Sequence, residues 1–148
     1  MSTTGLSVFD KTLQATHLWL NELSQELNWN NKHKSFQVQR ITLHALRDRL
    51  SVEQASKLSS QLPVLLVGFF YEDWQPATFT HPERSQTAFL AHIADQFEKS
   101  GININTQRAV RAVFKLITNK VSAGEVEKIK HMMPKSIRAL WVETVAAE

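Results

Sequence analysis

Residues 40–70 read RITLHALRDRLSVEQASKLSSQLPVLLVGFF, and residues 111–141 read RAVFKLITNKVSAGEVEKIKHMMPKSIRALW. Laid over each other with a shift of 71 and no gap, Arg40 falls on Arg111, Leu43 on Phe114, Leu46 on Ile117 and Leu50 on Val121. In the same register Ser51 falls on Ser122, Leu58 on Ile129, Pro63 on Pro134, Leu66 on Ile137 and Phe70 on Trp141. Two amphipathic helices align easily by period alone. Two capping serines and two prolines in one register are a stricter match. Both segments carry apolar residues at steps of three and four, which is the helical period. Both then show a capping box, Ser51-Val52-Glu53-Gln54 and Ser122-Ala123-Gly124-Glu125, where the hydroxyl accepts from the backbone three residues on. Each proline lacks an N–H, so it ends one helix or opens the next.

The same reading extends outward. Phe9, Leu13, Leu20, Leu23 and Leu27 line one face of a first helix, with Ser7 placed to cap its start and the Asn28-Trp29-Asn30-Asn31 run to end it. With a shift of 70, Trp19, Leu20, Leu23 and Leu27 fall on Phe89, Leu90, Ile93 and Phe97. A linker from Glu72 to Thr80 is followed by a helix start at Thr80-His81-Pro82-Glu83, and Gly101 stops that helix. Asn105 or Thr106 caps the next. The expected fold is all-α: about eight helices in two pseudo-two-fold related four-helix units, about residues 8–71 and 80–145, forming one compact bundle and a single domain over 1–148.

Val64, Leu65 and Val67 stand where the second copy has Lys135, Ser136 and Arg138. The helix from Val64 to Phe70 is therefore apolar on every side. Such a helix must be covered on every side. Either it lies at the centre, where the copies meet, or a second subunit covers Val64, Leu65 and Val67. The centre is the favoured expectation.

The chain has 148 residues, 43% of them hydrophobic, with four Gly, four Pro and no Cys. That size suits one domain with a core that needs no staples. The absence of Cys excludes a disulfide scaffold, a cysteine nucleophile and a thiolate metal site, and it suits a reducing cytosol. No apolar run reaches the roughly 18 residues of a membrane span. Met1 to Ser7 lacks the basic start and apolar stretch of a secretory signal. Charge is uneven: residues 1–100 hold 9 Lys and Arg against 10 Asp and Glu, and residues 101–148 hold 8 against 4. The last third is thus mildly positive. Arg108, Arg111, Lys115 and Lys128 are its candidate nucleic-acid contacts. The helix after Ser122 interleaves its lysines with Glu125 and Glu127, which counts against a recognition helix.

Few residues suggest chemistry. His44 and Asp48 share a helix face, with Arg47 beside them, and could form a His–carboxylate pair or two ligands of a metal. The plainer reading is a charged helix end suited to the helix dipole. Arg40 and Arg47 could tie the two repeats together through carboxylates. Tyr71-Glu72-Asp73-Trp74 puts two carboxylates between two aromatics in the linker. Together with Arg84 these residues — His44, Arg47, Asp48, Tyr71, Glu72 and Trp74 — make the candidate ligand site. The plainer reading there is that Tyr71 and Trp74 plug the seam between repeats while the carboxylates face water. No zinc spacing, phosphate loop, nucleophile elbow or kinase signature is present, so no catalytic residue, cofactor or metal is expected.

The string from Leu43 to Ala55, then Gln61-Leu62-Pro63, then Tyr71-Glu72-Asp73-Trp74-Gln75-Pro76, resembles the bacterial family catalogued as domain of unknown function 2267. Ser122 to Glu125 and Pro134 to Trp141 resemble its second half. The resemblance spans about residues 9–145. It implies a small, cytosolic, all-helical bacterial protein and no established activity, so it carries over no catalytic residue. The chain departs from the family at Asp73, where Gly more often precedes the Trp. The leading expectation is a non-enzymatic interaction or assembly module, with a protein partner or a second copy of itself. The alternatives are a small-ligand binder or enzyme using the seam, and a DNA-binding regulator using the basic last third.

Overall fold

A computed structural model describes residues 3–76 and 85–141. Among them are eight helices and no strand: α1 (Ser7–Leu27), α2 (Lys32–Arg47), α3 (Val52–Ser59), α4 (Val64–Phe70), α5 (Gln86–Lys99), α6 (Thr106–Lys120), α7 (Ala123–Met132) and α8 (Lys135–Arg138). The protein is all-α.

The boundaries follow local chemistry. Asn28 ends α1 in the left-handed region at φ 55°, and Trp29 N–H reaches back to Ser24 O at 3.0 Å. This is the wrapped C-cap that Gly and Asn permit. Gly101 does the same after α5, at φ 73°, with Ile102 N–H on Phe97 O at 2.8 Å. Asn31, Ser51, Ser85, Asn105 and Ser122 each accept a backbone N–H three residues on. Pro63 and Pro134 both sit just outside a helix, at φ −56° and −57°.

One expected start is different. Ser7 lies inside α1 and does not cap it. Leu6 holds the cap position without a side-chain bond, and Thr4 ties the entry by bonding Asp10 Oδ1 through N and Oγ1 at 3.0 and 2.9 Å. The described start of α5 is at Gln86, with Ser85 as its cap, while the expected start at Thr80 to Glu83 lies wholly in the stretch 77–84, outside the described residues. Ser85 is a well-placed hydroxyl next to a clean helical run.

α2 and α6 pack on each other, and each also packs on the long helix from the other half of the sequence: α1 on α6, α5 on α2. α3 packs on α7, α4 on α1 and α2, and α8 on α5. The fully buried side chains come from all of the long helices: Leu23, Leu43, Leu46, Phe89, Ile93, Phe97, Phe114 and Ile117. Each contributes about 1.5–3 kcal/mol by leaving water. The α3–α7 crossing is made by residues in matching positions. Gln54 Nε2 donates to Glu125 Oε2, 71 positions away, with both residues nearly buried. Gln61 Nε2 donates to Ser122 Oγ at 3.1 Å, and Ser51 Oγ faces Met132 Sδ at 3.8 Å.

The expected central helix is not central. Val64 is 77% and Leu65 38% exposed, and Val67 is half-buried. Of α4, Leu66 and Phe70 are fully buried. The reason is size and position. α4 has two turns, and it lies along the outside of α1 and α2, so Leu66 and Phe70 are buried, Val67 and Phe69 pack partly buried against the core, and Val64, Leu65 and Gly68 face outward. The helix buried on most of its circumference is α2, which encloses Ser35, Gln39 and Thr42 beside its apolar residues. In the first helix Phe9 is likewise 55% exposed, while Trp19 is buried.

Candidate functional site

The residues singled out around His44 do come together. α2 packs on α4, and side chains from its last turns meet the last carbonyls of α4. Arg40 grips the Glu72 carboxylate fork-on-fork, Nε to Oε1 at 2.7 Å and Nη2 to Oε2 at 2.8 Å, and its guanidinium lies over the Phe69 ring. His44 Nε2 lies 2.6 Å from Phe69 O and 3.7 Å from Glu72 Oε1. The carbonyl can only accept, so Nε2 carries the proton. Arg47, 4% exposed, donates to Phe70 O at 2.8 Å, Glu72 O at 2.6 Å and Asp48 Oδ1 at 2.8 Å. Tyr71 Oη lies 2.8 Å from Ser59 Oγ, and its ring packs on Trp74 at 4.9 Å.

This cluster is a cap. The last carbonyls of a helix have no partner within it, and cations there also meet the negative end of its dipole. Arg47 and His44 supply both. His44 and Asp48 turn to different partners, Phe69 O and Arg47, and so do not form a pair. Arg40 and Arg47 hold α2 to the end of α4, within the first half of the sequence, and bond to no described residue of the second half. Tyr71 bonds Ser59, and Tyr71 and Trp74 both pack partly buried against the core, while Glu72 is paired with Arg40 rather than left to water. Arg84 lies outside the described residues. Asp73 is exposed with φ 54°, the left-handed conformation that Gly adopts freely. Burial holds the His44 pKa below its usual 6.5, the nearby Arg47 and Arg40 charges add to this, and the Phe69 carbonyl and Glu72 oppose it. Among the described residues, no three His, Asp or Glu are gathered as a metal site would need.

The basic candidates divide. Arg108, Arg111 and Lys115 line one open groove on the outer face of α6. Lys128 is exposed on α7 and does not line it.

Residues 16–140 match the family model of uncharacterized conserved proteins, DUF2267. The chain belongs to the DUF2267 family. No curated protein matches it. No described helix of this DUF2267 chain is long and apolar enough to cross a membrane.

One surface was only half legible. Leu65 N–H donates to Thr12 Oγ1 at 2.9 Å, so α4 lies against α1 at that turn. One turn earlier on the same side of α1 are Val8 and Phe9, 61% and 55% exposed. Val64, Leu65 and Gly68 share the outer face of α4, and a Cβ on Gly68 would meet nothing within 4 Å. The apolar run of α4 was visible in the sequence. Its continuation onto α1 was not, because Phe9 follows the helical period of an inward-facing stripe.

Proposed function

We propose that this DUF2267 chain is a non-enzymatic assembly module that pairs with a second copy of itself through α4 and the first turns of α1. The carrying observation is the exposure of Val64, Leu65, Val8 and Phe9 on two helices in contact. Large apolar side chains gathered on one surface mark interaction sites. α4, VLLVGFF, carries no charge. A two-fold interface sets a patch against itself, and an uncharged patch does this without repulsion. Gly68 adds a second argument. Glycine inside a helix costs about 0.5–1 kcal/mol relative to alanine, and nothing among the described residues needs its missing Cβ. A neighbouring backbone at close approach would need it. The polar cluster at His44 favours this reading over a seam enzyme, since His44, Arg47 and Arg40 are all engaged in holding α4 in place.

The duplication of a helical unit belongs to the same reading. It is supported by the Gln54–Glu125 contact between equivalent positions, and by the pairs Gln61–Ser122 and Ser51–Met132, which exchange under a shift of 71. The cysteine-free composition fits a cytosolic setting.

Sedimentation across micromolar to millimolar concentration tests the pairing. The wild type is expected as a reversible dimer. V64D and L65D, both at exposed positions, are expected to stay monomeric with an unchanged melting temperature. A wild type that is monomeric throughout this range would overturn the reading.

A further inference from the structure

The groove on the outer face of α6 has a volume of about 750 Å³ and is lined by Arg108, Arg111, Lys115, Asn119, Leu140 and Trp141, with Glu26 of α1 on its rim. Its cations are not equivalent. Arg108 Nη2 donates to Leu27 O at 2.7 Å and so caps α1. Lys115 pairs with Glu26 at 3.2 Å. Lys130, at the other wall, pairs with Glu127 at 3.6 Å. Arg111 is exposed and has no partner among the described residues. Beside it, Trp141 stacks on Phe114 at 3.8 Å, and its indole N–H is buried with no hydrogen-bond partner among the described residues.

The other half of the chain shows what such a constellation holds. Arg111 stands 71 positions after Arg40, and Lys115 stands 71 after His44. Arg40 and His44 both face one carboxylate, that of Glu72, which Arg40 takes by two parallel bonds of 2.7 and 2.8 Å. A cation pair of the same i, i+4 spacing therefore lines the α6 groove, with its fork empty-handed among the described residues. The planar guanidinium matches a carboxylate by two parallel bonds, which fixes orientation as well as strength.

We infer that this groove is a binding site for a carboxylate side chain on an acidic peptide segment of a partner protein, with Arg111 as the bidentate anchor and Lys115 beside it. A nucleic acid fits less well. A phosphate backbone is tracked by a row of uncommitted cations, whereas three of the four here already serve Leu27, Glu26 and Glu127. One free fork fits one carboxylate. Apolar surface at Leu140 and Trp141 receives the residues flanking it. The site is separate from the α4 face and stands whether or not the chain dimerises.

The test is a titration of the full-length, ¹⁵N-labelled chain with the blocked peptide acetyl-Tyr-Glu-Asn-Trp-amide, read at the Arg111 Nε–H and Trp141 Nε1–H resonances. Saturable shifts at both are expected. Affinity should fall roughly tenfold or more when Gln replaces the peptide's Glu, and equally in Arg111→Gln read at Trp141. It should weaken with added salt and stay unchanged in Lys128→Gln. No shift at either resonance would overturn the assignment. So would equal binding of the Glu and Gln peptides, or of inorganic phosphate in place of the Glu peptide. The variant Glu143→Gln decides the source of the carboxylate, because Glu143 stands 71 positions after Glu72. Binding that appears only in that variant would give Arg111 to the chain's own carboxylate and end the partner proposal.

Discussion

Arg47 is 4% exposed and commits its guanidinium to the last carbonyl of α4, that of Phe70, to the Glu72 carbonyl just beyond it, and to Asp48. Removing it leaves buried acceptors unpaired, and each hydrogen bond to a charged group is worth about 1.5–3 kcal/mol. Arg47→Ala is therefore expected to cost about 3 kcal/mol in urea unfolding. Arg47→Lys should recover only part of it, since an ammonium cannot span the three acceptors in one plane. His44 beside it predicts a pH dependence. Its pKa is lowered in the folded chain from 6.5, so the unfolded chain binds the proton more readily. Stability from this residue is then full above the unfolded value and is lost as pH falls from there towards the lowered folded value. His44→Gln, which keeps a donor for Phe69 O, should flatten the decline in melting temperature between neutral pH and about pH 5; an unchanged decline would remove His44 as its source. At this scale the sequence was legible as far as proximity: His44, Arg47, Tyr71 and Glu72 do meet. It was silent on the use made of them, because a side chain bonded to a backbone carbonyl leaves no trace in residue spacing.

Among the elements, the capping boxes and prolines were readable because their chemistry is local. Ser51 and Ser122 cap α3 and α7 through the same third-residue N–H, and no distant contact is needed to decide it. α4 was misplaced for the opposite reason. Its composition demanded cover on all sides, but composition does not say whether a two-turn helix lies inside or along an edge. That depends on how much length α1 and α2 leave free. The buried polar residues Ser35, Gln39 and Thr42 were missed in α2 for the same reason: their helical spacing was visible, but the neighbours that enclose them were not. The α3–α7 crossing carries a prediction of its own. Gln54 donates to the nearly buried Glu125. Gln54→Glu would set two carboxylates against each other out of water, and should cost about 2 kcal/mol or more at pH 7. A thermal melt showing no loss would mean that the crossing opens readily and does not hold the two halves together.

For the whole molecule, the fold reads as two sets of helices interleaved, with α1 on α6, α5 on α2, and α3 on α7. That arrangement buries one face of each long helix and leaves the short α4 on the outside next to the start of α1. The all-α class followed from period and caps alone. The outward position of α4 did not, and it carries the account: an uncharged, glycine-bearing face offered to a second copy. The chain contains no cysteine, so a single introduced thiol reports on one position without background. The most direct measurement is the rate at which Val64→Cys forms a disulfide-linked dimer under mild oxidation at micromolar protein, beside Thr87→Cys, an exposed position on α5. The account predicts rapid, nearly complete crosslinking at 64 and slow, partial crosslinking at 87. Equal and slow crosslinking at both positions would contradict it.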